Sequence, residues 1–454
     1  MDVRVATAYR VAFVAAAAVL VGLVLAVPAL YLVDLPSWVY SGALLRAEWA
    51  DASATPWSLA RAPVPNTLAT VLPALLLGAL GPEATGRAIA AILLAAGFAA
   101  AWALGRAAEP ESPTDAAARA SVAAACLVAS ASFWNGYLGF QIGVLLAIAI
   151  AARWRARGRL SPAAVLAASL ALFFAHAVPF AVAALAFGLD ALARRDKWTL
   201  AALVPSAALT AWYVAARPPA GFAPPATAGG LGPALAYKAY TALKLGPLTR
   251  PVRLDGTPWL DGTALVVALA AAGLFVAVLI GALAVATVRM PPGGQRRAAL
   301  YAWAMVGAAL LLPPFALNVV NPGERVLVVA AVGLLAAVPL PRRMLRPLGL
   351  AALLFLADDA AALWGQRPGL APAVRAATYA RRASREHAAP ADPRFATATR
   401  DAAADPAERL LRHDVLLHSD LYDAVRRRDW TRTAFDSGVL VPDTASAPHP
   451  PTTP

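Results

Sequence analysis

Twelve stretches of this chain are almost free of charge and run for about 15 to 27 residues, at about 11–33, 66–81, 86–105, 119–134, 137–152, 161–175, 178–193, 198–216, 262–288, 298–317, 324–341 and 347–363. A helix of about 20 residues crosses the hydrocarbon of a bilayer. No water is present there to take up backbone N–H and C=O groups, so a stretch that crosses must be a helix or part of a closed barrel. The runs are continuous rather than alternating, which selects helices. Sixty per cent of the residues are apolar and only 14 per cent charged, more apolar surface than a water-soluble fold of this size can use. The expected fold class is therefore all-α, a polytopic helical membrane protein.

A formal charge of +13 would suit a nucleic-acid binder. The cations, however, sit in short clusters between apolar runs: Arg153, Arg155, Arg157 and Arg159; Arg194, Arg195 and Lys197; Arg289, Arg296 and Arg297; Arg342, Arg343 and Arg346. That is how topology signals are distributed, and no nucleic-acid partner is expected. The first run follows Arg4 and Arg10 and is long for a signal peptide, so it is read as a retained helix entering from the cytoplasm. Twelve crossings from that start would put every cation cluster outside. Removing the short run at 66–81, which begins at Pro65-Asn66, leaves about 11 transmembrane helices. The loops at 34–65, 133–139, 176, 217–261 and 318–325 then share one external face. Residues 1–364 form the membrane domain. Residues 365–454 form a polar segment on the external face, ending in a Pro-rich tail that reads as disordered. The single Cys126 excludes an internal disulfide.

The first external loop, DLPSWVYSGALLRAEWADASATPWSLARAPVPN from Asp34 to Asn66, concentrates charge between two apolar runs. At helical spacing Trp38, Gly42, Leu45 and Trp49 share a face, with Ser37, Ser41 and Glu48 away from it. This predicts a helix lying in the membrane interface with its aromatic rings at headgroup level. Asp34, before Leu35-Pro36, suits a helix N-cap or a general base that takes a proton from an acceptor hydroxyl. Glu48 and Asp51 read as solvated. His176 in FFAHAVPF, the only histidine before residue 365, suits a hydrogen-bonded histidine between helices or a ligand to phosphate. Arg325 in NPGERVLVV suits an interfacial ion pair or a bidentate phosphate clamp. Lys238, Lys244, Arg250 and Arg253, with Tyr237 and Tyr240, make a basic face that favours an anionic headgroup. No phosphate-binding glycine loop, metal-ligand spacing or nucleophile elbow is present. No metal site is expected from the residues, and the cofactor is left open, a divalent metal included.

Asp34-Leu35-Pro36-Ser37-Trp38 and Pro63-Val64-Pro65-Asn66, with GPEATGRAIAAILL (81–94), FWNGYLGFQIGVLL (133–146) and FFAHAVPF (173–180), resemble a bacterial group within the polytopic GT-C glycosyltransferases. The similarity covers a little under half the chain and fades after about residue 200. It implies a multi-pass enzyme of the bacterial plasma membrane that moves a sugar from a polyprenyl-phosphate donor to a lipid or glycan acceptor on the external face, inverting the anomeric centre. It implies Asp34 as base, with His176 and Arg325 near the donor phosphate; Asn66 of the second motif, Trp38, and Lys238 of the basic face are the further candidates for binding substrate, with membrane lipids as surroundings. Two positions depart from the group's pattern. Trp38 stands where the group has histidine, and Asn135 and Gln141 stand where a second carboxylate is expected.

Two other functions fit an apolar chain of this kind: a transporter or flippase for a lipid-linked or anionic solute, and a scaffold that anchors a partner through residues 365–454. The expected topology has a direct test. A membrane-impermeant maleimide should label a Ser53→Cys variant in intact cells and reach an Ala156→Cys variant only after the membrane is opened; the opposite pattern would invert the assignment of faces.

Overall fold

The computed structural model describes residues 3–27, 30, 32, 34–216, 230–246, 262–313, 315–316, 319–361, 363–364, 421–422, 424–430 and 439–442. It is a helical bundle. The first helices are α1 (Val3–Ala26), α2 (Leu35–Ala50), α3 (Thr67–Leu76) and α4 (Pro82–Ala108). Next come α5 (Pro113–Ala123), a π-helical turn (Ala124–Val128), α6 (Ala131–Trp134), α7 (Leu138–Arg157), α8 (Pro162–Ala175), α9 (Ala177–Arg194) and α10 (Lys197–Ala216). The rest are α11 (Leu231–Leu243), α12 (Gly262–Val288), α13 (Gly294–Leu311), α14 (Pro322–Ala337) and α15 (342–361). Seven of these, α1, α4, α5 continued through α6, α7, α9, α10 and part of α12, are long and apolar enough to cross a membrane. Their outward faces carry large apolar side chains, such as Val11 and Val14 on α1, Trp212 on α10 and Leu274 on α12. Water would not tolerate such a belt, whereas hydrocarbon does.

The stretch at 66–81 folds as a ten-residue helix, α3, which is about 15 Å long against a hydrocarbon layer of about 30 Å. The loop expected at 217–261 contains α11, and its flanks lie outside the described residues. So do Arg250, Arg253, most of 365–454 and the Pro-rich tail. Part of the C-terminal segment returns to α2. The strand β1 (Trp57–Leu59) pairs antiparallel with a distant strand, Trp57 opposite Pro442, and a short hairpin joins β2 (Phe315–Ala316) to β3 (Val319–Val320). The partner of β1 is β4 (Leu440–Pro442).

That return overturns the expected interfacial helix. From Leu35 to Leu45 every residue of α2 is buried, including Ser37 and Ser41 on the face read as polar, while Trp49 on the face read as anchored is half exposed. The cause is covering from several sides. Pro73 of α3 packs so closely that a Cβ on Gly42 would lie 2.6 Å from its own Cβ, and Leu421, Ala424 and Leu440 pack on Tyr40, Leu44 and Leu45. Tyr40 donates its hydroxyl to the Asp429 carbonyl at 3.0 Å, and the Trp57 indole donates to the Trp430 carbonyl at 3.3 Å. An amphipathic pattern cannot report contacts that come from residues almost 400 positions away.

At the centre, every residue of the span from Thr114 to Trp134 is buried. It can be enclosed because it is largely alanine and serine, and small residues let helix axes approach where van der Waals contact is the main attraction. Its neighbours match it: a Cβ on Gly349 of α15 would sit 2.6 Å from the Ala118 Cβ and 2.7 Å from its Cα. A Gly349→Val substitution should cost about 1–3 kcal/mol through this overpacking. Gly22→Val, with nothing within 4 Å, should leave the thermal midpoint in detergent unchanged within error. Equal midpoints for the two variants would show that the contact does not constrain the bundle.

Candidate active site

The helices alternate in direction, so the ends of α1, α4, α5, α7, α8, α9 and α14 fall into two sets. One end gathers Asp34, Asn66, Tyr137, His176, Lys244, Glu324 and Arg325. Three glycines in and before α7 bring the first of these together. Gly136, at φ +70, turns the chain after α6, and its Cα lies against the backbone, where a Cβ would be 2.9 Å from the Asp34 nitrogen. The Asp34 N–H donates to the Asn135 carbonyl at 3.0 Å. A Cβ on Gly139 would be 2.7 Å from Asn66 Oδ1, and one on Gly143 would be 2.8 Å from Pro179 Cγ and 3.6 Å from the His176 Cβ. One stripe of missing side chains thus admits α2, α3 and the α8–α9 junction to the same face.

Each sequence candidate now has a position. Asp34 occupies the N-cap of α2, but its side chain makes no capping hydrogen bond, and it stays half-buried. Its charge reaches Tyr137 and Arg325 electrostatically. Asn66 adopts the left-handed conformation, φ 74, that asparagine tolerates well, and starts α3; its buried Oδ1 has no hydrogen-bond partner. His176 accepts the Val178 N–H on Nδ1 at 3.1 Å, capping α9, and its ring meets Phe140 edge-on at 5.3 Å. Burial, and then the Arg325 charge, hold it well below the ordinary histidine range, so the ring is neutral. With Nδ1 accepting, the proton sits on Nε2, which makes that nitrogen a donor rather than a metal ligand.

Arg325, in the first turn of α14, lies over the Tyr137 ring at 4.9 Å and near Phe140 at 5.9 Å; its buried Nε has no hydrogen-bond partner. Stacking over rings suits a weakly hydrated guanidinium and leaves its N–H fork for an anion. Trp38 is buried on α2 one turn after Asp34, its backbone N–H donating to the Asp34 carbonyl at 3.2 Å. Lys238 does not join this group. It donates to the Leu312 carbonyl, where α13 ends, and lies 5.3 Å over Tyr237. Its task there is to close a helix end.

Three further residues complete the cluster. Lys244 forms an ion pair with Glu324 at 2.7 Å, with the two side chains only 9 and 3 per cent exposed, and sits 4.6 Å over Tyr240. Burial alone would depress the lysine; Glu324 outweighs it and keeps the ammonium charged above its usual range. The Glu324 Oε1 is buried without a hydrogen bond. Glu324 is therefore a second carboxylate at this end, on α14 rather than at 135–141. Gln141 instead donates to the Val128 carbonyl at 2.8 Å, serving the π-turn. The Tyr137 phenol is pushed up to about 12 by burial and by Glu324, so it is neutral beside Arg325. In the sequence Glu324 was visible as the neighbour of Arg325 at the mouth of an apolar run and Lys244 only as part of the basic face of the long loop; Tyr137 gave no sign. In the loop, Asp51 accepts from the Ser53 hydroxyl at 2.6 Å and Glu48 from the Thr55 hydroxyl at 3.2 Å, away from the cluster. Among the described residues no three His, Cys, Asp or Glu side chains gather closely enough for a metal ion.

Neither of two cavities formed by the described residues adjoins Asp34. The end does hold converging charge, a neutral histidine donor and unpartnered polar atoms within an apolar shell, a combination that could take up a hydroxyl and an anion. No protein-family model, curated protein or solved structure matches the chain.

Two outcomes are expected. Lys244→Met should destabilise the protein by about 3–5 kcal/mol in thermal unfolding, because it strands a buried carboxylate. Adding Glu324→Gln should restore most of that loss; if it does not, the ion pair is not the cause. The second concerns pH. A histidine depressed in the fold binds fewer protons than in the unfolded chain between its folded value and about 6.5. Stability should therefore fall as pH drops through about 6.5, and the slope should flatten in His176→Asn, which can still cap α9.

Proposed function

We propose that the protein is a GT-C-type glycosyltransferase of the bacterial plasma membrane, inverting, with a polyprenyl-phosphate sugar as donor and a lipid or glycan hydroxyl as acceptor. In this reading α8, α13, α14 and α15 join the seven long apolar helices to make eleven crossings, and the end that carries Asp34 faces outward. The observation that carries it is the convergence of Asp34, His176 and Arg325, separated by up to 291 residues in sequence, on one end of an apolar bundle.

The chemistry assigned to these groups is a single displacement. Asp34 takes the proton of the acceptor hydroxyl as its oxygen bonds to the anomeric carbon. The carbon–oxygen bond to the carrier phosphate breaks, and its electron pair leaves on the phosphate oxygen. Arg325, held over Tyr137 and Phe140, faces the charge that grows there, and the Nε2–H of His176 supplies a neutral donor. A prearranged cation in a poorly hydrated site stabilises such a charge by several kcal/mol more than it would in water. Positioning two lipids together supplies much of the rest.

A transporter would need ionisable groups along a path. Among the described residues the buried charges Asp115, Lys244, Glu324 and Asp359 instead lie in the terminal turns of their helices, and Arg119 lies one turn further in, which supports the transferase.

The test is sugar transfer by the full chain in proteoliposomes supplied with polyprenyl-phosphate sugars. Asp34→Asn should lower kcat by about 10²–10⁴ while leaving donor binding near wild type, the range expected for a lost general base. Arg325→Gln should weaken donor binding as well. Full activity of Asp34→Asn removes the base; solute flux without transfer replaces the enzyme with a transporter.

A further inference from the structure

At the end opposite Asp34, between α7, α8, α9, α13 and α14, lies a cavity of about 990 Å³. That is at the upper limit of small-molecule sites, which span roughly 300–1,000 Å³. Its wall changes character with depth. Ile150, Val182, Met305 and Val329 line the inner part. Arg153, Arg157, Arg159, Arg194 and Arg297 line the mouth, all exposed and all within five residues of a helix end or in the α7–α8 connection. Met305 is two turns beyond Arg297 on α13, about 12 Å along the axis, so the apolar surface continues well below the charged ring.

Only two carboxylates share this lining. Asp190 is paired with Arg194 at 2.9 Å, and Asp196 accepts from the Thr199 hydroxyl at 2.8 Å and from two backbone N–H groups. Five guanidiniums against two carboxylates leave the mouth at +3. A soluble anion would use that charge and leave the apolar depth empty or wet. An apolar solute would fill the depth and waste the charge. A molecule with a phosphate at one end and a hydrocarbon chain at the other satisfies both.

We propose that this cavity binds an anionic phospholipid from the leaflet on that side, its phosphate among Arg153, Arg157 and Arg297 and one acyl chain along Ile150, Val182 and Met305. Guanidinium matches phosphate in a bidentate way, and basic pockets between membrane helices are suited to anionic headgroups. The site is separate from the Asp34 cluster and stands whether or not the chain transfers sugar.

The experiment is thermal unfolding of the full-length protein in detergent with added phosphatidylglycerol, phosphatidylcholine or inorganic phosphate. Phosphatidylglycerol should raise the midpoint, and the other two should raise it by less than half as much. An Arg157→Gln/Arg297→Gln double variant should lose most of the shift, and Arg157→Lys/Arg297→Lys should keep a measurable part of it, which separates lost charge from lost packing. Arg106→Gln removes an exposed arginine from the same end outside the cavity and should leave the shift intact. Ala183→Trp, which fills the apolar wall, should abolish the shift with all five arginines present. An equal shift from phosphatidylcholine, an equal shift from inorganic phosphate, or an undiminished shift in the double glutamine variant would each overturn the assignment.

Discussion

Arg119 stands on a long helix with protein on every side, and its guanidinium must be received there or not exist as a charge. It donates to Glu109 from Nε at 3.1 Å and from Nη2 at 2.5 Å, and to the Leu335 and Val338 carbonyls at 2.7 and 3.0 Å. The last turn of α14 is thereby closed by a cation, the sign its dipole favours. One turn earlier, Asp115 receives Arg342 at 2.9 Å and Arg346 at 2.8 Å from α15, and the Arg346 carbonyl accepts the Tyr9 hydroxyl of α1 at 2.8 Å. Five helices are tied at one end through α5. Once charge is confined to helix ends, the middle of the bundle can be packed with alanine and glycine.

The candidate site obeys the same rule at the other end, and α14 links the two. Its C-terminal carbonyls are held by Arg119, and its first turn presents Glu324 and Arg325, about 20 Å away along a 16-residue helix. A site built on the free end of an anchored helix keeps its geometry better than one carried by a loop. The π-turn after α5 has a comparable role. Gln141 donates to the Leu127 and Val128 carbonyls of that turn and accepts from the Ser132 hydroxyl, and the chain then reverses through Gly136 to set Tyr137 against Arg325.

The helical class, the short α3 and the candidates Asp34, His176 and Arg325 were legible in the sequence, because a polar group stands out against hydrocarbon; Asn66 entered only through the resemblance of its motif. What was not legible depended on long-range covering. No periodicity on α2 could show that Leu421, Ala424 and Leu440 would bury its polar face. The choice between Lys238 and Lys244 rested on which turn of α11 faces α14, and these residues differ by six positions, nearly two turns. Glu324 was read with Arg325 as a local pair, whereas its partner is Lys244, 80 positions away. The glycines at 136, 139 and 143 were part of the quoted motifs, yet only a structure shows that each is small because a different element presses on it.

The balance of charge at this end bears on what could bind within the proposed reaction. Lys244 is committed to Glu324, and neutralising each other in a buried pair is what permits both to be there. His176 and Tyr137 are neutral. Asp34 and Arg325 remain as charges of opposite sign, and Arg87, which donates to the Val27 carbonyl at the end of α1, adds a cation at the same end. Bringing in a phosphodiester adds one negative charge, opposed by a guanidinium already stacked and oriented. With Lys244 held by Glu324 and Lys238 by the Leu312 carbonyl, recognition of the phosphate in the proposed reaction falls to Arg325 rather than to the lysines of α11.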